Sequence, residues 1–315
     1  MQRRVLITGA SGYVAGWLIS QLATFAEVEL VLGSRSNQDT PLQHRHAHLD
    51  LGKPSTFSAA LEGVDTVVHL AGLPQRDCIA SPSEAARLNT LGTTELVHQA
   101  NKQGVRRFIL VSTIQVFGSP LPPLITSNTP IAPDNAYAKS YADLESELGF
   151  SSGVKIDVVR LANGFGFPLN KGSCWHLAVN DFCRQAVQMG EIRLTSSGLQ
   201  QRNFVPIRSS VSFLAHVLMA TASSSDEPRF WTFGSPQSQS VLAMAHTVAS
   251  RASAILGHEV LVLARNDERA TTHAASILDL TPIAALRFST ETLEGAAHLH
   301  MIDETLHYCR TLFLT

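Results

Sequence analysis

A strand, a glycine-rich turn and a helix follow one another within the first 25 residues, and this order constrains the fold more than any other feature. The apolar run from Val5 to Ile7 predicts a buried strand. Gly9 and Gly12 come directly after it, and apolar residues then recur at helical spacing from Val14 onward. Such a turn presents backbone N–H groups and a helix N-terminus to a pyrophosphate, although an ordinary glycine-rich βα turn has the same pattern.

The alternation of strands and helices along the chain predicts an α/β protein. Strand patterns occur at 27–32, 48–51, 65–70, 108–111 and 156–161, and helix patterns occur at 56–61, 83–102, 136–148, 176–189, 210–222 and 241–256. This order predicts a parallel, doubly wound sheet in a first domain over 1–165. A smaller, irregular α/β substrate domain is expected over 166–315. Part of it, either 202–207 or 229–233, is expected to return a strand to the sheet.

Composition excludes several classes of partner. The 315 residues carry a formal net charge of −2 and are 44% hydrophobic, which favours neither nucleic acid nor a membrane surface. No apolar run approaches the roughly 20 residues that span a bilayer, and the run after Arg3-Arg4 is too short for an export signal. Four scattered cysteines favour a reducing, cytoplasmic location. The alternating His44, His46 and His48 lack the partners of a metal site, so no metal is expected.

The end of the second predicted strand bears on the choice of cofactor. In dinucleotide-binding folds, an acidic residue at this position bonds the 2′-hydroxyl of NAD, whereas a nearby arginine accommodates the 2′-phosphate of NADP. Here the strand runs into Ser34 and Arg35, with no acidic residue. The sequence therefore favours NADP over NAD, unless Arg35 is an ordinary solvated arginine of the loop.

Short motifs extend this pattern along most of the chain. They are Thr8-Gly9-x-x-Gly12 with Ala15 in place of a third glycine, Asp50-Leu51, Ala71-Gly72, Asn89 within Asn-x-x-Gly-Thr, Val111-Ser112-Thr113, the segment from Thr129 to Tyr137, the segment from Arg160 to Pro168, and Arg202-Asn203-Phe204-Val205. Together they resemble the extended short-chain dehydrogenase/reductases, and within them the NAD-dependent epimerase/dehydratase group that acts on nucleotide sugars.

This resemblance implies a Rossmann-type fold, a nicotinamide dinucleotide, a nucleotide-sugar substrate and a homodimer formed through helices 83–102 and 136–148. It assigns the proton transfer to Tyr137, assisted by the hydroxyl of Thr113 and, with lesser weight, that of Ser112. Asn163 and Arg202 would face the substrate together with Thr113. The residues implied to bind the cofactor are Thr8, Gly9, Ser11, Gly12, Tyr13, Val14, Ser34, Arg35, Asp50, Leu51, Leu70, Ala71, Gly72, Asn89, Val111, Tyr137 and Leu161.

The chain departs from this family at one catalytic position. The family's tyrosine is followed one helical turn later by a lysine whose charge stabilises the phenolate, and here Tyr141 holds that place. Lys139 lies two residues after Tyr137, about 200° around a helix and therefore on the opposite face.

Three interpretations of this departure stay open. The enzyme uses another cation or a water network, helped by the positive nicotinamide; or its chemistry needs no tyrosine base; or the chain is a pseudoenzyme, a cofactor-binding redox sensor that acts by protein association. We expect the first, an NAD(P)-dependent oxidoreductase or epimerase acting on a hydroxyl or keto carbon of a nucleotide sugar or similar substrate. In it, Tyr141 bonds the ribose in place of the lysine.

Overall fold

The computed structural model describes residues 2–36, 43–149, 153–170, 174–222, 227–265, 273–291, 293 and 295–314. The strands are β1 (Arg3–Thr8), β2 (Val28–Ser34), β3 (Arg45–His48), β4 (Thr66–His69), β5 (Arg107–Thr113), β6 (Leu124–Ile125), β7 (Lys155–Leu161), β8 (Asn163–Phe165), β9 (Glu191–Arg193), β10 (Gln201–Arg202), β11 (Phe204–Pro206), β12 (Arg229–Phe233), β13 (Gln239–Ser240), β14 (Leu261–Leu263) and β15 (Ile277–Leu278). The helices are α1 (Tyr13–Leu22), α2 (Phe57–Leu61), α3 (Gln75–Ala80), α4 (Pro82–Ala85), α5 (Thr93–Lys102), α6 (Ala136–Leu148), α7 (Ala178–Met189), α8 (Ile207–Met219), α9 (Val241–Leu256), α10 (Thr281–Ala285) and α11 (Ala296–Phe313). None of these helices, taken over the described residues, has the length and apolarity needed to cross a membrane.

A seven-stranded sheet in the order β12-β7-β5-β4-β1-β2-β3 forms the centre of the fold. β1 pairs in parallel with β2 and β4, and β5 pairs in parallel with β4 and β7. Val5, Leu6 and Ile7 are fully buried, as the continuous apolar run of a strand covered on both faces requires. The α/β class and the parallel, doubly wound sheet predicted from the sequence are confirmed.

One of the two segments expected to return to the sheet does so. Residues 229–233 enter it as β12, beside β7. Residues 204–206 instead form β11, which pairs in parallel with β8 in a separate two-stranded sheet.

The register of the sheet brings the carboxyl ends of its parallel strands to one edge. Thr8, at the end of β1, is level with Gly33 of β2 and His69 of β4, and Thr113 of β5 is level with Leu161 of β7. The loops that follow these strand ends therefore share an edge, and sheets of this kind bind ligands there.

The single helix predicted over 83–102 is interrupted in the structure. A π-helical segment, Ala86–Gly92, separates α4 from α5 and carries Asn89 near its middle. The buried Asn89 accepts the N–H of Leu73 at 2.8 Å and donates to the Ser140 hydroxyl at 3.1 Å. π-Helical turns occur frequently at functional sites, and this one aims a polar side chain into the protein interior.

The chain divides into two compact units, each built from separated segments. The sheet unit consists of Met1–Ser119, Pro130–Leu161 and Val211–Thr232, and the second unit consists of Pro120–Thr129, Ala162–Ser210 and Phe233–Thr315. The sequence places the main boundary at 165, and the chain passes from one unit to the other after Leu161. The roles of the two units toward cofactor and substrate stay predictions.

Helices α7, α9 and α11 pack on one another in the second unit. Four two-residue or three-residue strand pairs accompany them, formed by β8 with β11, β9 with β14, β10 with β13 and β6 with β15.

An aromatic cluster adds to the packing of the second unit. Tyr308 stacks 5.1 Å from Phe167 and 6.2 Å from Trp175, measured between ring centroids, and Phe313 meets Trp175 edge-on.

A buried ion network joins three strands of the sheet unit. Arg107 of β5 donates to the Asp157 carboxylate of β7 at 2.5 Å, and Arg229 of β12 donates to the same carboxylate at 2.7 Å. Arg107 and Asp157 are 3% and 1% exposed, so this pair is removed from water. Arg107 also donates to carbonyl oxygens at the end of α8, namely those of Val217, Leu218 and Ala220.

Candidate functional site

The glycine-rich turn leaves β1 along a path that a side chain would block. Gly9 has a φ of +64°, and a Cβ at this position would lie 2.8 Å from the backbone nitrogen of Ala71. The N–H of Gly12 donates to the Gly9 carbonyl at 2.8 Å, and α1 begins directly afterwards with no acidic residue in its first turn. The positive end of the helix dipole therefore faces a narrow backbone turn, and this cradle fits a pyrophosphate.

Gly9→Ala is expected to destabilise the protein more than Gly104→Ala. Both glycines adopt the left-handed backbone region, with φ of +64° and +77°, so alanine costs each roughly 1–2 kcal/mol of backbone strain. Only at Gly9 does the new Cβ meet backbone atoms, since none of the described residues lies within 4 Å of a Cβ at Gly104. Urea unfolding is expected to place the Gly9 variant below the Gly104 variant by about 1 kcal/mol or more. Equal losses would contradict the close approach to Ala71.

His69, the last residue of β4, ties the turn to the neighbouring strand. Its Nδ1 lies 2.9 Å from the Thr8 hydroxyl, and its Nε2 lies 3.0 Å from the Thr93 hydroxyl. The Thr8 oxygen already accepts the N–H groups of Leu70 and Ala71, both at 3.1 Å, so its own proton points to Nδ1. His69 is therefore neutral, with its proton on Nε2 directed at Thr93, and burial lowers its pKa to about 3.

Acid is expected to destabilise the fold through this histidine. The unfolded chain protonates His69 below about pH 6.5, whereas the folded chain keeps it neutral down to about pH 3. The unfolded state binds more protons between these values, so stability is full above pH 6.5 and falls with pH. The free energy of unfolding should drop by about 2 kcal/mol from pH 7 to pH 5 on this account alone. Buried His298, with its pKa lowered to about 4 by burial, adds a change of the same sign.

Urea titrations at pH 7 and pH 5 measure this dependence. His69→Gln should reduce the difference between the two pH values by about 2 kcal/mol, because it removes the titrating ring. His98→Gln is the matched control, since the His98 side chain is exposed on α5 and should leave the difference unchanged. An unaltered difference in the His69 variant would contradict the assignment.

Two tyrosines on α6 meet one helical turn apart. Asn135 begins the helix, its Oδ1 accepting the N–H of Ala138 at 3.0 Å, so Tyr137 falls in the first turn. The rings of Tyr137 and Tyr141 pack edge to face with centroids 5.0 Å apart, and the two side chains are hydrogen-bonded. Tyr137 is also hydrogen-bonded to Thr113 at the end of β5. The structure thus brings together three of the four residues expected to be catalytic.

The surroundings of this pair keep both phenols protonated. Burial raises the pKa of Tyr137 to about 12, although its hydrogen bonds with Thr113 and Tyr141 act in the opposite direction. Burial likewise raises the pKa of Tyr141 well above 10. The Tyr141 hydroxyl lies against the turn after β4, because a Cβ on Gly72 would approach it to 2.9 Å.

Ser112 does not join this group. Its hydroxyl donates to Glu145 Oε1 at 2.6 Å, and Glu145 is bound in turn by Arg160 at 2.8 Å. Glu145 lies two helical turns after Tyr137 on α6, so Ser112 contacts this helix farther along than Thr113 does. Instead of assisting Tyr137, as expected, the Ser112 hydroxyl links β5 to α6 through Glu145.

The remaining residues expected to bind the cofactor lie around the same edge of the sheet. Ser34 ends β2 and donates to the Ser36 carbonyl, and the Arg35 side chain is exposed beside it. Asp50 accepts the N–H of Gly52 at 2.9 Å. The others are Ser11, exposed in the turn; Tyr13 and Val14, half-buried at the start of α1; Leu51, half-buried after β3; Leu70 and Ala71, half-buried after β4; Val111, buried in β5; and Leu161, half-buried at the end of β7. Within the described residues, no group of three His, Cys, Asp or Glu side chains is placed to hold a metal ion.

The second unit holds a cavity of about 290 Å³ next to β8 and β10. Asn163 and Arg202, the residues expected to face the substrate, both line it, together with Arg193 and Asp181. The Asn163 side chain donates to the Asn203 carbonyl at 2.9 Å, which fixes its orientation. Planar guanidinium groups in such a lining suit the bidentate binding of phosphate.

The sequence patterns did not reveal three residues that form hydrogen bonds within the site. His69 stands at the end of the strand pattern 65–70, so its position at the shared edge is readable, but nothing in the pattern reveals its two threonine partners. Glu145 follows Tyr141 by one helical turn and therefore lies on the same inner face of α6. A charged residue at such a position could have signalled a buried ion pair. Ser140, bonded to Asn89, has no such signal.

Comparison with known sequences identifies the family. A sequence model described as the NAD dependent epimerase/dehydratase family matches residues 5–231. The chain is 26% identical over 266 residues to UDP-glucuronic acid decarboxylase 1 of Xenopus tropicalis, a match that covers 78% of this chain and 60% of that protein. The match therefore spans about three fifths of the relative's own length.

Comparison with solved structures establishes the fold independently. MoeE5 in complex with UDP-glucose and NAD superposes with a TM-score of 0.79 and 20% identity, covering 99% of this chain and 100% of that one. RMD from Pseudomonas aeruginosa, complexed with NADPH, gives a TM-score of 0.74 and 21% identity over 99% and 100% of the two chains. The family match covers well over half of the sequence and confirms the resemblance seen in its motifs. The chain therefore belongs to the NAD dependent epimerase/dehydratase family.

Proposed function

We propose that this protein is an enzyme that transfers a hydride between a nicotinamide dinucleotide and a hydroxyl or keto carbon of a nucleotide-linked sugar. Membership of the family supports this class of reaction. The observation that carries the proposal is the hydrogen bond between Tyr137 and Thr113 at the end of β5, on the sheet edge that also bears the glycine-rich turn. Tyr137 is the proposed acid/base group, and Thr113 orients the reacting oxygen.

The sheet unit supplies the proposed cofactor contacts. The turn between Gly9 and Gly12 and the start of α1 would hold the pyrophosphate, because the dipole and the absent Cβ atoms favour it there. Tyr141, against Gly72, would bond the ribose in the lysine's place. When bound, the nicotinamide supplies or accepts the hydride. The other proposed contacts are Thr8, Ser11, Tyr13, Val14, Asp50, Leu51, Leu70, Ala71, Asn89, Val111 and Leu161.

We favour NADP as the cofactor, with NAD as the alternative, because Arg35 is exposed at the end of β2 beside Ser34. Arg35→Ala is expected to raise the Kd of NADPH by roughly 10-fold or more, since a charge-assisted contact to the 2′-phosphate is lost, and to leave the Kd of NADH within about twofold. Quenching of tryptophan fluorescence measures both. Arg76→Ala, at an exposed arginine of α3, is the control. Equal weakening of both cofactors would contradict the preference.

The cavity of the second unit is the proposed site for the nucleotide part of the substrate. Arg202 would bind the diphosphate, and Asn163, held by Asn203, would present its amide to the substrate.

We also propose a homodimer. Two exposed apolar side chains support it: Leu91 lies in the π-helical segment within the range 83–102 expected to pair, and Ile79 lies on α3 just before that range. Sedimentation analysis tests it.

Binding and turnover test the proposal together. The protein is titrated with NADH and NADPH by fluorescence, and turnover is then measured on a panel of UDP- and dTDP-linked hexoses in their hydroxyl and keto forms. The proposal predicts binding and turnover of at least one of them. Tight binding with no turnover under any condition would favour a cofactor-sensing binding protein instead.

A further inference from the structure

Three buried polar side chains, those of Ser112, Glu145 and Arg160, form a network that joins β5, α6 and β7. Ser112 donates to Glu145 Oε1 at 2.6 Å. Arg160 donates from Nη2 to Glu145 Oε2 at 2.8 Å and from Nε to both carboxylate oxygens, at 3.2 Å and 3.1 Å. The three residues are 5%, 3% and 7% exposed, so this Glu145 network is removed from water. The proposed reaction uses none of the three as a reacting group.

The Glu145 network lies directly beside Thr113 in the sheet. Ser112 and Arg160 are level in the register of β5 and β7, and the next pair along is Thr113 with Leu161. Consecutive Cα atoms are about 3.8 Å apart, so Ser112 and Thr113 cannot move independently. The hydrogen bond that fixes Ser112 relative to α6 therefore also restrains the backbone of Thr113.

The segment that follows Thr113 is held by the same network. A short 3₁₀ turn, Ile114–Phe117, comes after β5, and the Arg160 guanidinium lies 5.1 Å from the centroid of the Phe117 ring. The Thr113 hydroxyl oxygen accepts the N–H of Gln115, within this turn, at 3.2 Å. The contact with Arg160 therefore restrains the turn that orients the Thr113 hydroxyl.

The carboxylate of the network belongs to the helix that carries Tyr137. Glu145 follows Tyr137 on α6 by about two turns, or roughly 12 Å along the helix axis. The end of β5 thus contacts α6 at two places, because Ser112 binds Glu145 and Thr113 binds Tyr137. Buried polar networks whose members are all hydrogen-bonded rigidify the elements that they join.

We propose that the Glu145 network is a positioning device for the active site, which holds the end of β5 against α6 so that the Thr113 and Tyr137 hydroxyls meet. This inference rests on the proposed function, which assigns the reacting oxygen to those two hydroxyls. Glu145 and Arg160 are positioning residues, since they act through Thr113 and Tyr137. A misplacement of about 1 Å can cost an enzyme roughly 100-fold in rate, so the network should govern the chemical step rather than the binding of ligands.

Carbon NMR of the protein labelled with ¹³Cζ-tyrosine tests the positioning without substrate or cofactor. The chain has four tyrosines, and Tyr137→Phe identifies the signal of interest. The Cζ shift responds to hydrogen bonding at the phenol oxygen, so Thr113→Val gives the displacement that loss of this contact produces. Glu145→Gln and Ser112→Ala are expected to displace the Tyr137 signal in the same direction, because an amide nitrogen cannot accept a hydrogen bond and alanine cannot donate one.

Asp157→Asn is the matched control for Glu145→Gln. Asp157 is a buried carboxylate that joins β5 and β7 through Arg107, so both substitutions place an amide against a buried arginine. Arg107 is the first residue of β5, whereas Ser112 stands one residue before the end of that strand. Both variants should lower the urea concentration at the midpoint of unfolding. Only Glu145→Gln should displace the Tyr137 signal.

Kinetics separate positioning from stability, on a nucleotide sugar that the wild-type protein turns over. Glu145→Gln is expected to lower kcat roughly 10- to 100-fold, while KM and the Kd of the cofactor stay within about threefold. Asp157→Asn should keep kcat within about threefold under conditions where it is folded. Ser112→Ala leaves the ion pair in place and should lower kcat about 3- to 10-fold, and it decides the matter if Glu145→Gln does not fold.

The outcomes distinguish this inference from the proposed function. A Tyr137 signal that stays in place in both Glu145→Gln and Ser112→Ala would overturn the inference. An unmoved signal in Thr113→Val would overturn it too, because the two hydroxyls would then not be in contact. Equal losses of kcat in Glu145→Gln and Asp157→Asn would also count against it, since reduced stability would explain both. Displaced signals in a protein that turns over no nucleotide sugar would overturn the proposed function and support the positioning of the two hydroxyls.

Discussion

Tyr137→Phe is expected to lower kcat/KM by 10²- to 10⁴-fold while the Kd of the cofactor stays within about twofold. The substitution removes one oxygen and keeps the ring, which packs edge to face with Tyr141 at 5.0 Å between centroids, so the packing of α6 is retained. In the proposed mechanism Thr113 would still orient the substrate oxygen, but the proton would then come from water. Steady-state kinetics on the keto-sugar panel and fluorescence titration with NADPH measure the two quantities.

The specificity of this loss needs a matched control. Tyr308→Phe makes the same chemical change in the aromatic cluster of the second unit, where the ring stacks on Phe167, and should leave kcat/KM within about threefold. A Tyr137→Phe protein that retains more than a tenth of the wild-type kcat/KM would contradict the assignment of the Tyr137 hydroxyl as the proton donor.

Asp157→Ala is expected to lower the free energy of unfolding by about 3–5 kcal/mol. The carboxylate is 1% exposed and compensates the guanidinium groups of Arg107 and Arg229, at 2.5 Å and 2.7 Å. Its removal leaves Arg107 buried with only backbone carbonyls as partners, so the full desolvation of the cation is no longer offset. Urea unfolding followed by circular dichroism measures the change.

The control for this prediction is an exposed pair in the same unit. Asp143→Ala breaks the ion pair with Lys139 on the surface of α6 and should cost less than about 1 kcal/mol, because both side chains remain in water. If Asp157→Ala costs no more than Asp143→Ala, the buried network does not stabilise the sheet as argued.

The sheet unit was largely predictable because its strands are continuous apolar runs. β1, the turn at Gly9 and α1 appear in order within 22 residues, and α6 begins and ends at the predicted positions. The interruption at Ala86–Gly92 was not predicted, because no residue type in this segment marks a π-helical turn. In the second unit, β10, β13 and β15 are two residues long, too short to show any period.

The site was predictable where a motif fixes both residue type and position. The motifs place Thr113 and Tyr137 so that they meet in the structure, and the angle of 100° per residue explains why Lys139 lies outside; their catalytic roles stay predictions. Ser112 shows the limit of this reasoning. Its partner Glu145 lies 33 residues further along the chain, on α6 and two helical turns beyond Tyr137. No local pattern encodes a contact of that kind.

Transfer of deuterium from cofactor to sugar tests the central claim most directly. The protein is incubated with 4-deuterated NADPH or NADH and a UDP-linked 4-keto-hexose, and the sugar product is examined by mass spectrometry. We expect one deuterium bonded to the reduced carbon of the product, and at least 100-fold less labelled product in the same time with Tyr137→Phe. A protein that binds the cofactor yet never transfers the label to any sugar of the panel would contradict it.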